Sequence, residues 1–469
     1  MGGRPNSAGG RRTARPLSDS HLMAKTGGLF RTVVKNAAVL LGGKAANAAV
    51  TLGAFGLAAR GLGLQQFGLL ILIHTFAEAV GDIAKFQSWQ SVLHYGAKPL
   101  GEKRLSDFQR ILRFSAMLDL LSAGAGVAIG VAGAAFIGPW LKWPSGTAPV
   151  AMLYATSVAF MVSATPFGVL RLFGRFDLMA RQTTVASLVW LTGSAIAFVC
   201  HAGLLAYLGA WWAGTLAAFV YLTVVAWREL RRQGALVGMT WGKGSLTEGF
   251  PGLWRFALTT NASATVEMAF THVSTLIVGG VLNPGQAALW RIAKLVAEAI
   301  AAPAKMIIPA LYPELAKLRA TGDNHTLGQL GLRTGATAGA LSTVLLFIAA
   351  AFGGPALGLI MGKAFAAAGP VLTWQTGAAV ISIWALPLEP MLISTGRAGQ
   401  ALTARLVVSA LYLALLAPAI TRLGLIGVGV TSVVAEALLG AGMMLGVLHW
   451  YRDPSTGFVR PPRPPAALT

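Results

Sequence analysis

The segment FAEAVGDIAKF, residues 76–86, returns in altered form as VAEAIAAPAKM, residues 296–306. Ala77, Glu78 and Ala79 match Ala297, Glu298 and Ala299, and Ala84–Lys85 match Ala304–Lys305, all 220 positions apart. Gln66 and Leu69 align with Gln286 and Leu289 at the same offset. A second group occurs at offset 222: Gly174–Arg175 with Gly396–Arg397, and Ser187 with Ser409. Two groups of matches at nearly one spacing read as an internal duplication, which sets the architecture.

The surroundings of the repeat define the solvent. Of 469 residues, 55% are hydrophobic and 11% charged, and the mean hydropathy is +0.65. Apolar stretches of about 20 residues or more recur along the chain, which predicts an all-α polytopic membrane protein. The 57 glycines suit closely approaching membrane helices. Twelve spans are expected, near 31–59, 67–93, 108–139, 147–170, 178–200, 203–227, 250–280, 286–311, 328–352, 369–394, 400–420 and 424–450. Residues 1–28 are basic, resemble a transit peptide loosely, and are expected to form a disordered cytoplasmic tail. Residues 454–469, rich in proline, are expected to form a second tail. No short apolar segment with a cleavage site precedes the first span, so a secretory signal is not expected. A single cysteine, Cys200, excludes an internal disulfide.

The net charge of +21 is a topology signal rather than a nucleic-acid footprint. The tails and even-numbered loops hold about 28 of the Lys and Arg residues and the odd-numbered loops about four, which predicts both termini in the cytoplasm. Six spans per half is an even number, so the halves share one orientation and are related by a pseudo-two-fold axis along the membrane normal. The expected organisation is a six-helix lobe over 29–232, a cytoplasmic linker over 233–249, and a second six-helix lobe over 250–453.

The charges inside the spans carry the functional expectation. On a helical projection His74, Glu78, Asp82, Lys85 and Trp89 fall within about an 80° arc. Asn36, Lys44, Asn47 and Thr51 form a stripe on the first span, and Arg291, Lys294, Glu298 and Lys305 share one broad side of the eighth. A charge facing hydrocarbon costs roughly 2.5–3.5 kcal/mol by insertion scales, so these faces must meet protein or water. A polar cavity between the lobes, lined by spans one, two, seven and eight, satisfies all of them. Its bases at least match its acids, which calls for an anionic ligand. Against this stands in-helix neutralisation of Asp82 by Lys85, with Glu78 and Glu298 as struts between helices. Asp119, Glu389 and Glu436 are candidates for a coupling ion or for local pairing, with local pairing or snorkelling the expectation, while His272 is open to reading as a packing residue or a proton carrier. Trp89, Trp290 and Trp374 are candidates for stacking on sugars, or for interface anchors.

No GxxxxGK[ST], HExxH, GxSxG or Cys/His cluster occurs, so no catalytic residue, metal ligand or cofactor is expected and the chain does not read as an enzyme.

Three stretches resemble the polysaccharide-biosynthesis flippases of the multidrug, oligosaccharidyl-lipid and polysaccharide exporter superfamily. They are LLGGKAANAAVTLGAFGLAARGLGLQQFGLLIL at 40–72, with Ala59–Arg60, Leu62–Gly63 and Gly68; IIPALYPELAKL, with Pro309, Pro313 and Ala316; and LIMGKAFAAAGPVL, with Gly362, Lys363 and Phe365. The resemblance implies two six-helix bundles around a cationic cavity, in a bacterial inner membrane. It implies alternating access that carries an undecaprenyl-pyrophosphate-linked oligosaccharide, an O-antigen or exopolysaccharide repeat unit, from the cytoplasmic to the periplasmic leaflet. Membrane lipids and polysaccharide polymerase or assembly proteins are the implied partners. Lys44, Lys85 and Arg291 are the positions nearest the family's pyrophosphate-holding bases, with Lys294, Lys305 and Asn47 beside them. Glu78, Asp82 and Glu298 are the candidates for coupling to protons or sodium. The alternatives are a cation-coupled multidrug antiporter of the same superfamily, which calls for acids dominating the cavity, and a non-transporting scaffold of a polysaccharide assembly complex, which needs no charged midplane.

Overall fold

The computed structural model describes residues 19–141, 143–239, 246–322 and 324–452, with side chains from residue 46 onward except 262–271, 309, 310 and 313. The chain divides into two units between Ala46 and Asn47. The bundles and cavities belong to the second unit.

The described residues are helical, with no strand among them. α1 (Asp19–Ala84) holds the first span and most of the second, separated by a break at Gly63. Gly63 has φ +70° and ψ 174°, a conformation a side chain would strain. Next come α2 (Ser88–Gly101), α3 (Leu105–Trp140), α4 (Thr147–Ala155), α5 (Val158–Met161), α6 (Ala164–Leu172), α7 (Phe176–Val199) and α8 (Leu204–Arg232). The second half repeats the order with α9 (Leu253–Val281), α10 (Pro284–Lys305), α11 (Ile308–Ala320), α12 (Asn324–Met361), a short 3-10 turn (Lys363–Ala368), α13 (Gly369–Trp384), α14 (Leu388–Ser394), α15 (Ala398–Leu423) and α16 (Leu425–Arg452). Among the described residues nine stretches are long and apolar enough to cross a membrane. Large side chains such as Leu120, Phe136 and Leu359 stand 73%, 83% and 75% exposed, as lipid-facing positions do. α10 carries Arg291, Lys294, Glu298 and Lys305 within its 22 residues, which sets it apart from the apolar spans.

Four expected spans are not continuous. The second breaks at 85–87, the fourth at 156–157 and 162–163, the eighth at 306–307 and the tenth at 385–387. Most of the breaks obey the repeat: Gly63 corresponds to Asn283 ahead of α10, residues 85–87 to 305–307, and Ser163 to Ala385, while the break at 156–157 has no counterpart at 378–379 within α13. Broken backbone is tolerated at membrane depth only where other groups take up the freed hydrogen bonds. Ser122 Oγ accepts from the Phe86 N–H at 3.3 Å and Asn261 Oδ1 from the Gln87 N–H at 3.2 Å. Asp119 closes two breaks together, accepting from Ser88 Oγ at 2.5 Å and from the Thr165 N–H at 2.7 Å.

Contacts between the halves are reciprocal, as an isologous two-fold requires. Arg60 donates to the carbonyls of Ile360 (2.9 Å) and Leu359. The repeat mates of Arg60 and Ile360 are Gly280 and Trp140, and these also meet: a Cβ on Gly280 would lie 3.0 Å from the Trp140 ring. The architecture is therefore two six-helix bundles related by a pseudo-two-fold axis. Phe55, Phe67, Trp211, Trp290 and Phe365 fill the core that joins them.

One boundary expectation changes. Asp19–Gly28 begin α1, so the expected tail 1–28 shortens; an acid at a helix N-terminus favours that start. Residues 1–18 and 453–469 lie outside the described residues. The linker is anchored: Gln109 Nε2 donates to the carbonyls of Ala235 and Val237, both at 2.9 Å, and Arg110 to that of Glu248 at 2.6 Å.

Candidate functional site

His74, Glu78 and Asp82 recur every four residues along α1 and so form one stripe. The stripe meets helices of the other half. His272 of α9 places Nε2 3.0 Å from Asp82 Oδ2 and Nδ1 3.6 Å from Glu78 Oε2. Arg291 Nη2 of α10 stands 3.5 Å from the same Glu78 oxygen. His74 completes the group, with Nε2 3.3 Å from Glu78 Oε1 and Nδ1 2.7 Å from the Tyr154 hydroxyl of α4. A cavity of about 320 Å³ opens beside them, lined also by Ser163, Thr183 and Trp190.

A second cavity, of about 280 Å³, lies in the C-terminal half. Lys294, Glu298 and Lys305 of α10 face Ser382 of α13, Arg405 of α15 and Glu436 of α16 there. Gln375, Tyr412 and Ser432 supply further polar groups. Arg405 also bonds Glu389 at 2.7 Å.

The two cavities are repeat copies of one another. His74 and Glu78 correspond to Lys294 and Glu298 at offset 220; Phe160, Thr183, Ala186 and Trp190 correspond to Ser382, Arg405, Val408 and Tyr412 at offset 222, and every one of these lines its cavity. Their chemistry has diverged. The N-terminal copy holds two carboxylates and two imidazoles, the C-terminal copy three bases against two carboxylates.

The expected single chamber lined by spans one, two, seven and eight is thus divided. Glu78, Asp82 and Arg291 do meet where the halves join, but Lys294, Glu298 and Lys305 serve a cavity built with α13, α15 and α16. Neutralisation of Asp82 by Lys85 is replaced by the contact with His272, because α1 ends at Ala84 and Lys85 lies in the break. Lys44 is helical within α1, and its side chain lies outside those described. Asn47 has a buried Oδ1 without a hydrogen-bond partner, and its main-chain carbonyl accepts from Thr51 Oγ1 at 2.9 Å. Asp119 and Glu389 pair locally, as expected, whereas Glu436 faces the basic cavity. Trp89 lies under the Arg171 guanidinium at 4.7 Å, and Trp290 is buried in the core.

Sequence reasoning missed Thr183, Trp190, Ser382, Arg405 and Tyr412. The signal was present: once offset 222 is accepted, any polar position on the fifth span nominates its mate on the eleventh.

The chain is 30% identical over 335 residues to the inner membrane protein YghQ of Escherichia coli (strain K12), covering 71% of this chain and 94% of that protein. The chain belongs to that protein's family. No family model matches it. Its fold is similar to an inward-facing multidrug resistance MATE transporter of the MOP superfamily, with a TM-score of 0.71, 10% identity, and 88% and 96% of the two chains covered. It is also similar to the lipid II flippase MurJ in an inward closed conformation, with a TM-score of 0.66, 11% identity and 87% of each chain covered. The two-bundle fold implied by the sequence motifs is the one observed.

Proposed function

We propose that the chain is a flippase that carries an undecaprenyl-pyrophosphate-linked oligosaccharide, an O-antigen or exopolysaccharide repeat unit, from the cytoplasmic to the periplasmic leaflet by alternating access. The observation that carries this reading is the C-terminal cavity, where Lys294, Lys305 and Arg405 outnumber Glu298 and Glu436 at the depth of apolar spans. Its volume of about 280 Å³ suits a phosphate or the first sugar, not a whole glycan. The lining itself carries one more base than acid, with Arg405 also paired to Glu389 behind it, and the hydroxyls of Ser382, Tyr412 and Ser432 with the amide of Gln375 offer the hydrogen bonds a sugar phosphate needs. Lys and Arg at these positions give attraction, with Arg405 able to hold phosphate in a two-pronged fashion. Arg291, at the junction with Glu78, and Lys85 are the further bases in this proposal.

The physical task suits such a carrier. A sugar-pyrophosphate headgroup cannot cross hydrocarbon, while its polyprenyl tail remains there without cost. A membrane potential negative inside favours outward movement of an anion by roughly 2.3 kcal/mol per charge per 100 mV. With both termini cytoplasmic, the expected topology, the basic loops face the leaflet where such substrates are made.

A cation antiporter is the second reading, favoured by the carboxylates of the N-terminal cavity. Reconstitution with fluorescent lipid-linked sugars and, separately, with cationic dyes decides between them. Transfer of the sugar lipid without dye transport supports the flippase; dye transport alone overturns it.

A further inference from the structure

We propose that the cavity of the C-terminal half is a two-part site: its charged end holds the phosphate of the cargo, and its neutral end binds the first sugar, with Trp290 and Gln375 as the residues that read that sugar. The proposal rests on the flippase reading above and names the part of the cargo that the site recognises.

The cavity is polarised along its length. Lys305, Ser382 and Arg405 line one end, where Glu436 lies beside the two bases. Ser274, Trp290, Gln375, Tyr412 and Ser432 line the other, on the side of the α9–α10 and α15–α16 turns. There the Tyr412 hydroxyl reaches those of Ser274 and Ser432. Arg405 to Tyr412 on α15, and Gln375 to Ser382 on α13, each span roughly 10 Å along the helix axis. A hexose carrying a phosphate is of that length.

The duplicate half has closed the corresponding place with aromatic rings. Trp211 stacks on Phe55 at 4.9 Å and on Trp190 at 5.3 Å between centroids, and meets the His74 ring edge-on at 4.9 Å. The mates of Phe55 and His74 at offset 220 are Thr275 and Lys294, and the mate of Trp190 at offset 222 is Tyr412. The mate of Trp211 is Ser432 at offset 221, the spacing of Leu204 and Leu425, each of which opens the last helix of its half. Rings that seal against one another are thus replaced by four side chains that hydrogen bond. Trp290 and Ser274 likewise stand where the N-terminal half has the buried Leu70 and Ala54.

Burial makes this exchange costly unless a ligand answers it. Trp290 is 1% exposed, and its Nε1 has no hydrogen-bond partner among the described residues. Gln375 Oε1 is buried without one as well. A buried donor or acceptor left unmatched forfeits its hydration. One of these groups donates and the other accepts. Sugar hydroxyls do both, whereas an ionised phosphate oxygen only accepts and a hydrocarbon chain does neither. The ring of Trp290 is packed in the core that joins the halves, so its contribution is the N–H and not a stacking face. At the other end Ser382 already bonds Glu436, and what Lys305 and Arg405 offer there is charge, which attracts the phosphate.

The test uses the full-length protein purified in detergent and two kinds of probe: farnesyl pyrophosphate, and farnesyl pyrophosphate carrying glucose, galactose or N-acetylglucosamine. Calorimetry gives the affinity for each. Wild type is expected to bind at least one sugar-bearing probe about tenfold more tightly than the bare one. Trp290→Phe, which keeps a ring and removes the N–H, and Gln375→Leu are each expected to remove most of that preference while holding the bare pyrophosphate within about twofold of wild type. Lys305→Ala is expected to weaken all probes alike and keep the preference. Equal affinity of wild type for bare and sugar-bearing probes overturns the sugar site, and so does a preference that survives both Trp290→Phe and Gln375→Leu. A loss in those variants that falls equally on bare and sugar-bearing probes overturns it too, by assigning the two residues to structure. These results leave the flippase reading standing where Lys305→Ala weakens binding. Binding that Lys305→Ala does not change, or no binding of any probe, removes the anion site and the flippase reading with it. Should Trp290→Phe fail to fold, Gln375→Leu decides, because the preference compares probes on one protein.

Discussion

Gln65 Oε1 accepts the backbone N–H of Gly285 at 3.2 Å, and these residues are repeat mates, 220 positions apart. An object can touch its own symmetry mate only close to the axis, so this contact marks where the pseudo-two-fold passes. Away from it the halves are free to diverge, and the two cavities show that they have.

Beside the axis, position 68 leaves no room for a side chain. A Cβ on Gly68 would collide with the carbonyl of Pro284, which is backbone and cannot swing aside. Gly68→Val is expected to cost roughly the 1–3 kcal/mol typical of overpacking, or more. The check is thermal unfolding and monodispersity in detergent; a variant as stable as wild type contradicts the close approach.

Binding of an anionic headgroup is expected to depend on the bases of the C-terminal cavity. Lys305→Ala and Arg405→Ala should each weaken it about tenfold, the loss of one charge-assisted contact. Glu436→Gln removes an opposing charge and should tighten it. Affinity for a pyrophosphate-bearing lipid, measured on variants whose insertion is normal, tests the three together.

Arg291 meets Glu78 across the halves. Arg291→Ala is expected to abolish complementation of a flippase-deficient strain while leaving expression intact, and Arg291→Lys to restore part of it. Full complementation by the alanine variant removes Arg291 from the mechanism.

Asp119 accepts from both Ser88 and the Thr165 N–H. Asp119→Ala leaves a buried donor without a partner and should cost about 1–3 kcal/mol, with headgroup affinity unchanged. A fall in affinity larger than the fall in stability would assign Asp119 to the transport site instead.

Glu229, 5% exposed, is held by Arg175 at 2.8 Å. Arg175→Ala should lower stability, because it leaves the buried Glu229 carboxylate without its guanidinium partner. Glu229→Gln should cost less, since the amide carries no charge to strand. Thermal unfolding of the two variants gives the order.

The sequence by itself determined the solvent, the class and the symmetry. Apolar runs of membrane length required helices, because lipid offers the backbone no hydrogen bonds. Residues 76–86 and 296–306 exposed the duplication, and the duplication required two bundles of one orientation. The tertiary structure decided which charges meet. A helical projection places Glu78 and Asp82 on one face, but it cannot say whether Lys85 or His272 answers them; the break after Ala84 and the packing of α9 do. Projection likewise gathers Arg291, Lys294 and Lys305 on one broad side of α10, yet Arg291 reaches the other half while the lysines turn to α13, α15 and α16. The reason is geometric: periodicity fixes a direction from one helix axis, and a site exists only where directions from several axes converge.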